Sequence, residues 1–404
     1  MKITNIGAIV TPVGNSYHSG DKQSELDFIE NATIYIENGK IAKITREHSS
    51  DAGDLDAEGS IVIPGLVDSH THIIFGGNRS QEFYQRASGY TYSEILRSGN
   101  GIYKTVRDTA NSSADEIFTQ SMKRIADAVS HGTTTIELKT GYGLYEKEER
   151  KLLDVARKIS NSGLVSTVLT YLMHVLPEGE SEEAYEKYSE KILSSFRNYI
   201  SFADVFCDEG AFSPNAAKAF LKFADNLGLG LKIHANEINN IGCVKACSGL
   251  NVKSFDHMIH ANAEDVETIR SIGSAITLLP LTVFALDESY PDARVFIDSG
   301  VPVIIASDIS PLNYNANLIF AMHLAVKYSS MKPEEALTAT TINAASSLGL
   351  GEKKGTVEEG KDADIVIIDV DDYTEIPYEY GINTVKKVFH NGSLVFDRTK
   401  QFKL

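Results

Sequence analysis

Pro64-Gly65-Leu66-Val67-Asp68-Ser69-His70-Thr71-His72 closes an apolar, β-branched run with two histidines one residue apart. In an extended strand, residues i and i+2 face the same way, so His70 and His72 aim both imidazoles at one point. Two imidazoles so placed can share a divalent metal, although His-x-His taken alone is also compatible with packed core histidines. The context decides. From this stretch onward, short apolar runs alternate with longer helical stretches, the pattern of βα units around a parallel sheet. The runs are Ile63 to Asp68, Thr133 to Lys139, Val165 to Met173, Phe202 to Cys207, Leu229 to His234, Lys253 to His257, Ala275 to Leu279 and Val301 to Asp308. Eight such strands predict a (β/α)8 TIM-type barrel, with the His pair at the strand end where this fold collects its chemistry.

Helical stretches are expected over Ser113 to Ser130, Glu146 to Ser160, Glu182 to Phe196, Pro214 to Leu227, Ala263 to Ile272 and Lys332 to Leu348. Most open on Ser, Asp, Glu or Pro, as capping requires. Both chain ends read differently. Ile3 to Val10, Thr33 to Ile36 and Lys40 to Ile44 are strand-like, and so are parts of Gly355 to Asp372 and Val385 to Phe396, with hairpin signals at Asn38-Gly39 and Asn391-Gly392. Neither end has enough strands to bury a sheet face alone. The expected organisation is a composite β domain, a small β-sandwich of residues 1–62 plus 354–404, beside an α/β barrel spanning 63–353.

A chain of 404 residues accommodates both units, and 42% hydrophobic with 23% charged residues is ordinary for a globular protein. The net charge of −17 repels phosphate backbones and anionic lipid, so nucleic acid and membrane surfaces are not expected partners, and an anionic substrate needs a local basic clamp. Three cysteines, Cys207, Cys243 and Cys247, do not form a secreted disulfide framework. Their expected role is packing in a reducing compartment. The N-terminal MKITNIGAIV lacks a signal-peptide apolar region and no run of 18 apolar residues occurs, so the expected location is cytoplasmic.

Three more polar residues end later strands on the face of the His pair: His234 after the fifth, His257 after the sixth and Asp308 after the eighth. Each alone reads as structural, but their convergence does not. Imidazole and carboxylate donors suit Zn2+ or Fe2+, with a position left for water. Glu237, three residues after His234, puts a carboxylate on the loop at the barrel mouth as a candidate proton shuttle.

PGLVDSHTH, the later histidines, the aspartate and the flanking β unit together resemble the amidohydrolase superfamily over the whole chain. The resemblance makes His70, His72, His234 and Asp308 the ligands of one metal, and gives His257 a hydrogen bond to the water or the developing oxyanion. A second metal is not implied, because the fourth strand ends in Cys207-Asp208-Glu209 where binuclear members carry a lysine. It further implies that metal-activated water attacks a carbonyl or amidine carbon, with Asp308 taking its proton and Glu237 protonating the leaving nitrogen.

Within the superfamily, several segments resemble the imidazolonepropionase family: Phe75 to Arg79, Tyr92 to Ile95, Gly99 to Ile102, Glu137 to Gly143, Phe206 to Gly210 and Leu231 to Ala235. By that resemblance Arg79, Tyr142, His174 and Glu237 contact a small anionic imidazolone, with the Arg79 fork matched to a propionate carboxylate. The competing arrangement pairs Arg79 with Glu82. The loop after the last ligand departs from the family's Asn-Pro-Gly-Ser-Ser: it reads Ser310-Pro311-Leu312-Asn313-Tyr314, which leaves Ser310 and Asn313 as candidate contacts and gives Leu312 none. The implied reaction is hydrolysis of 4-imidazolone-5-propanoate to N-formimidoyl-L-glutamate in histidine degradation, by an enzyme that pairs as a homodimer. Two alternatives share the sequence features: a deaminase of a purine, pyrimidine or related ring, which would release ammonia, and a non-catalytic barrel that serves as a binding protein.

Overall fold

The computed structural model describes residues 1–46, 54–90, 94–95 and 99–400. Tyr92 and Ser93 of the segment quoted above lie outside the described residues. Eight parallel strands, Leu66–Asp68, Thr133–Lys139, Ser166–Met173, Phe202–Cys207, Gly230–Ala235, Val252–His257, Ala275–Leu278 and Val303–Ile305, pair in chain order as a nearly closed barrel. The seam between first and last strands is fastened at its C-terminal end: His72 N–H donates to Ile309 O (2.9 Å) and Asp308 N–H to His70 O (3.0 Å). Asp68 adds a side-chain clasp, accepting from Ser307 N–H (3.0 Å) and the Ser307 hydroxyl (2.5 Å). Both seam strands are thereby fixed next to the residues expected to bind metal.

The barrel helices start where their caps predict. Ser113 closes a capping box on Ala114–Ser130, Asn262 does the same for Ala263–Ile272, and Ser181 and Ser213 cap Glu182–Phe196 and Pro214–Asn226. Two runs differ from the sequence reading. Lys332 to Leu348 is two helices, Pro333–Ala339 and Ile342–Ser347, because Thr340 and Thr341 turn their hydroxyls back onto Ala336 O (3.0 Å) and Leu337 O (2.6 Å) and compete with the helical ladder. The carbonyl of Thr340 instead accepts from Val67 N–H in the first barrel strand (2.9 Å).

Ile63 to Asp68 is likewise two strands: Ile61–Pro64 belongs to the second sheet, Leu66–Asp68 to the barrel, and Gly65 is the crossing point. The second sheet draws on both chain ends, in the order Ser393–Asp397, Val385–His390, Ile365–Ile368, Ile61–Pro64, Lys2–Thr11, Asp27–Glu37 and Lys40–Thr45, with Leu55–Asp56 alongside Lys2–Thr11. Asn38-Gly39 and Asn391-Gly392 take φ of 51° and 78°, and 46° and 73°, the left-handed pairs that tight hairpins need. One apolar cluster unites the termini, Ile3, Ile9, Ile34, Val62, Ile365 and Phe389 among it.

The cysteines depart from expectation. Cys207, ending the fourth barrel strand, is disulfide-bonded to Cys243 with Cα atoms 6.0 Å apart, whereas Cys247 is a buried thiol. Pairs 36 residues apart in sequence carry no spacing signal, so only the fold brings them together. Among the described residues no helix is long and apolar enough to cross a membrane.

Gly65 donates to Asp364 O (2.8 Å), and a Cβ on it would lie 2.2 Å from Thr134 Oγ1. Gly65→Ala is therefore expected to cost about 1–3 kcal/mol in chemical unfolding. Adding Thr134→Ala should recover more than half of that loss, since the two changes share one contact; strictly additive losses would contradict this packing account.

Candidate metal centre

The site assembles at the C-terminal mouth of the barrel. His70 and His72 follow the first strand, His234 lies at the end of the fifth, His257 ends the sixth and Asp308 follows the eighth. Two overlapping donor groups result, His70, His72 and Asp308, and His70, His234 and His257, each with its ligand atoms within 4.8 Å of one another. Asp308 Oδ1 stands 3.4 Å from His72 Nε2 and 3.7 Å from His70 Nε2, and His72 Nε2 is 3.1 Å from His234 Nε2. Backbone conformation helps aim these groups. His257 and Asp308 have φ of 77° and 50°, left-handed values that non-glycine residues seldom adopt and that cluster at functional sites. For His257 the turn lets consecutive Asp256 and His257 both face the barrel interior.

The donor chemistry fits a divalent metal. His70 Nδ1 donates to Asp256 Oδ2 (2.6 Å) and His234 Nδ1 to Asp204 Oδ1 (3.1 Å), which assigns the proton to Nδ1 and leaves the Nε2 lone pairs pointing into the site. Burial holds His70, His72 and His234 well below the ordinary histidine range, so all three are neutral, the ligating form. His70 Nε2 is fully buried with no hydrogen-bond partner. Lone pairs brought together in a buried site repel, and a cation between them and the Asp308 carboxylate relieves that cost.

Asp308 is oriented by a residue the sequence reading missed. Thr282, on the short helix Pro280–Leu286 after the seventh strand, donates its hydroxyl to Asp308 Oδ2 (2.5 Å). Burial pushes the Asp308 carboxyl up to about 7, with the Thr282 hydrogen bond opposing. Glu237 has its Oε2 3.5 Å from His257 Nε2. Burial first, then the Asp308 and Asp208 charges, raises its carboxyl well above the usual range. Its loop is held from below by Asp208, whose carboxylate accepts from the N–H groups of Glu237 (2.7 Å), Ile238 (3.0 Å) and Asn239 (2.9 Å). His257 is pushed down to about 4, chiefly by burial.

Tyr142 and His174 form the adjoining wall. The His174 ring stacks on His72 with centroids 5.2 Å apart, and Tyr142 lies 5.0 Å from His174. Arg79 precedes the helix Ser80–Ala87 without capping it and donates through Nε (2.7 Å) and Nη2 (2.6 Å) to the buried carboxylate of Glu82, which Arg86 also holds. Its charge nonetheless reaches Tyr142 and His174. Ser310 and Asn313 fold onto each other: Asn313 N–H donates to Ser310 Oγ (3.2 Å), while Asn313 Nδ2 donates to Ser307 O (2.7 Å). Their polar groups hold the turn that presents Asp308. Tyr314, where the loop departs from the family pattern, receives Arg124 Nε on its hydroxyl (3.0 Å) and packs edge-on against Phe75.

Thr282→Val keeps the shape and removes the hydroxyl, leaving Asp308 Oδ2 unpaired. Metal affinity is expected to fall about 10–100-fold, read by competition with a chromogenic chelator; unchanged affinity would remove Thr282 from the site.

Comparison with known proteins agrees over the whole chain. Residues 61–395 match the Amidohydrolase family. The chain is 50% identical to an imidazolonepropionase of Thermoplasma acidophilum, over 98% of this chain and 97% of the relative. It is 39% identical to an imidazolonepropionase of Picrophilus torridus, over 98% of both. Among solved structures, 5-methylcytosine deaminase from Klebsiella pneumoniae superposes with a TM-score of 0.76 over 98% of each chain, at 15% identity, a likeness of fold.

Proposed function

The chain belongs to the amidohydrolase family, and from that premise we propose that it is a hydrolase of a cyclic amide C–N bond, opening 4-imidazolone-5-propanoate to N-formimidoyl-L-glutamate in histidine degradation. The observation that carries this reading is half-identity to an imidazolonepropionase along nearly the entire length of both chains, with the donor set intact. The barrel from Leu66 onward serves as the catalytic unit and the strands of both chain ends as the composite β domain, which takes in Ile61–Pro64 and so reaches two residues past the boundary at 62/63 expected from the sequence, in an enzyme of the cytoplasm.

His70, His72, His234 and Asp308 hold one divalent metal, Zn2+ or Fe2+, both of which accept imidazole and carboxylate. When bound, the metal acidifies water and polarises the ring carbonyl. The remaining work falls to side chains. Asp308, steadied through Oδ2 by Thr282, takes the proton of the attacking water. His257, neutral at pH 7, donates an N–H to the oxygen that gains charge. Glu237, whose burial beside Asp308 and Asp208 raises its carboxyl and so favours the protonated form, delivers a proton to the leaving ring nitrogen. Arg79 supplies the positive charge for the propionate, sharing its fork with Glu82, and Tyr142 and His174 form the wall against which the flat ring lies.

Freshly prepared imidazolone propionate should lose its ultraviolet absorbance with metal-replete enzyme, yielding formimidoyl-glutamate and no ammonia. Ammonia release from this or a heterocyclic base would instead assign a deaminase. Glu237→Gln should retain its metal while kcat drops about 10²–10⁴-fold; near-normal turnover in that variant would move the acid role elsewhere.

A further inference from the structure

Beneath the site the barrel interior carries five buried charged side chains where apolar ones would close-pack: Glu137, Lys139, Asp204, Lys232 and Asp256. They form one chain of ion pairs. Lys139 Nζ lies 2.5 Å from Asp204 Oδ2 and 3.0 Å from Glu137 Oε2. Lys232 Nζ lies 3.4 Å from the same Glu137 oxygen and 3.7 Å from Asp256 Oδ2. The ends of the chain are the two aspartates that accept from the outer nitrogens of His234 and His70. Glu137 is therefore the hub: through one lysine it reaches His234, through the other His70. Two local bonds fix the hub and one arm, with Thr170 Oγ1 donating to Glu137 Oε1 (2.5 Å) and Lys232 Nζ donating to Ser69 O (2.6 Å), the residue before His70.

Resting on the metal-site reading above, we propose that Glu137, Lys139 and Lys232 are positioning residues for the metal centre: a buried bracket that holds Asp204 and Asp256 against His234 and His70, so that two histidines from opposite parts of the barrel present Nε2 to one point. None of the three touches the reacting atoms. The geometry follows from strand parity, since Glu137 and Lys139, and Lys232 and His234, are i and i+2 pairs whose side chains share the interior face. Three carboxylates against two ammonium groups leave the bracket one negative charge in excess, which favours a bound cation above it. Neither lysine can be replaced by an apolar residue without stranding an aspartate, and thereby loosening the histidine that aspartate aims.

The test is Zn2+ affinity of the holoenzyme, by chelator competition, for wild type, Glu137→Gln, Lys139→Met, Lys139→Arg, Lys232→Met and Thr170→Val. Ile34→Ala, in the composite sheet, controls for general loss of stability. The bracket predicts affinity about 10–100-fold weaker for Glu137→Gln and both methionine variants. It also predicts a smaller loss for Thr170→Val, substantial recovery in Lys139→Arg, and no change in Ile34→Ala. Should the methionine variants fail to fold, Thr170→Val and Lys139→Arg still decide. Wild-type affinity in Glu137→Gln and Thr170→Val would overturn the inference, whereas a wild-type protein that takes up neither Zn2+ nor Fe2+ would overturn the site reading itself.

Discussion

The hydrogen bond from His70 Nδ1 to Asp256 is the contact on which the rest of the structure turns. It assigns the proton on one ring nitrogen and frees the other, which is buried without a hydrogen-bond partner. A buried carboxylate costs several kcal/mol unless it is paired, so Asp256 in turn needs Lys232 and Lys139. Burial alone would raise the Asp256 carboxyl, but Lys232 and Lys139, helped by His234 and Ser254, more than reverse the effect and hold it below the ordinary carboxylate range. A layer of charge in the barrel centre is thus the consequence of aiming histidines at a metal, and the barrel tolerates it because every member has a partner.

The strand ends complete what the charge layer begins. The closing seam is fastened through His70 O, Ile309 O and the Asp68–Ser307 clasp, so the first and last strands deliver His70, His72 and Asp308 as a unit. Left-handed turns at His257 and Asp308 re-aim side chains that regular strand geometry would send elsewhere. Around this floor stand loops: the Glu237 loop hung on Asp208, and the Ser310–Tyr314 turn. That division of labour is the usual economy of the fold, with chemistry on loops and aim set by strands.

Much of this was legible in the residues. Apolar, β-branched runs alternating with capped helical stretches located all eight barrel strands and five helices, and the ends of the apolar runs located the donor set, because a polar residue closing an apolar strand is visible in one dimension. What was hidden shares a different character. The division of the run around Gly65 depends on which sheet receives each half, and the split at Thr340 and Thr341 on hydroxyls that choose a local carbonyl. Thr282 and the lysines of the charge layer look like ordinary strand or helix residues until distant strands meet. The Cys207–Cys243 bond likewise joins residues with no spacing signature. Arg79 was readable as a cation near the site, but its engagement with Glu82 could be weighed only once the helix Ser80–Ala87 was in place.

The most direct test of the central claim, that these donors converge on a single metal which opens the ring, is metal content and imidazolone propionate turnover measured together as a chelator strips the enzyme and Zn2+ or Fe2+ is returned. The account predicts one divalent ion per chain at full activity, turnover falling in proportion to occupancy, and recovery on readdition. Full turnover in metal-free protein, or a requirement for two ions per chain, would contradict it.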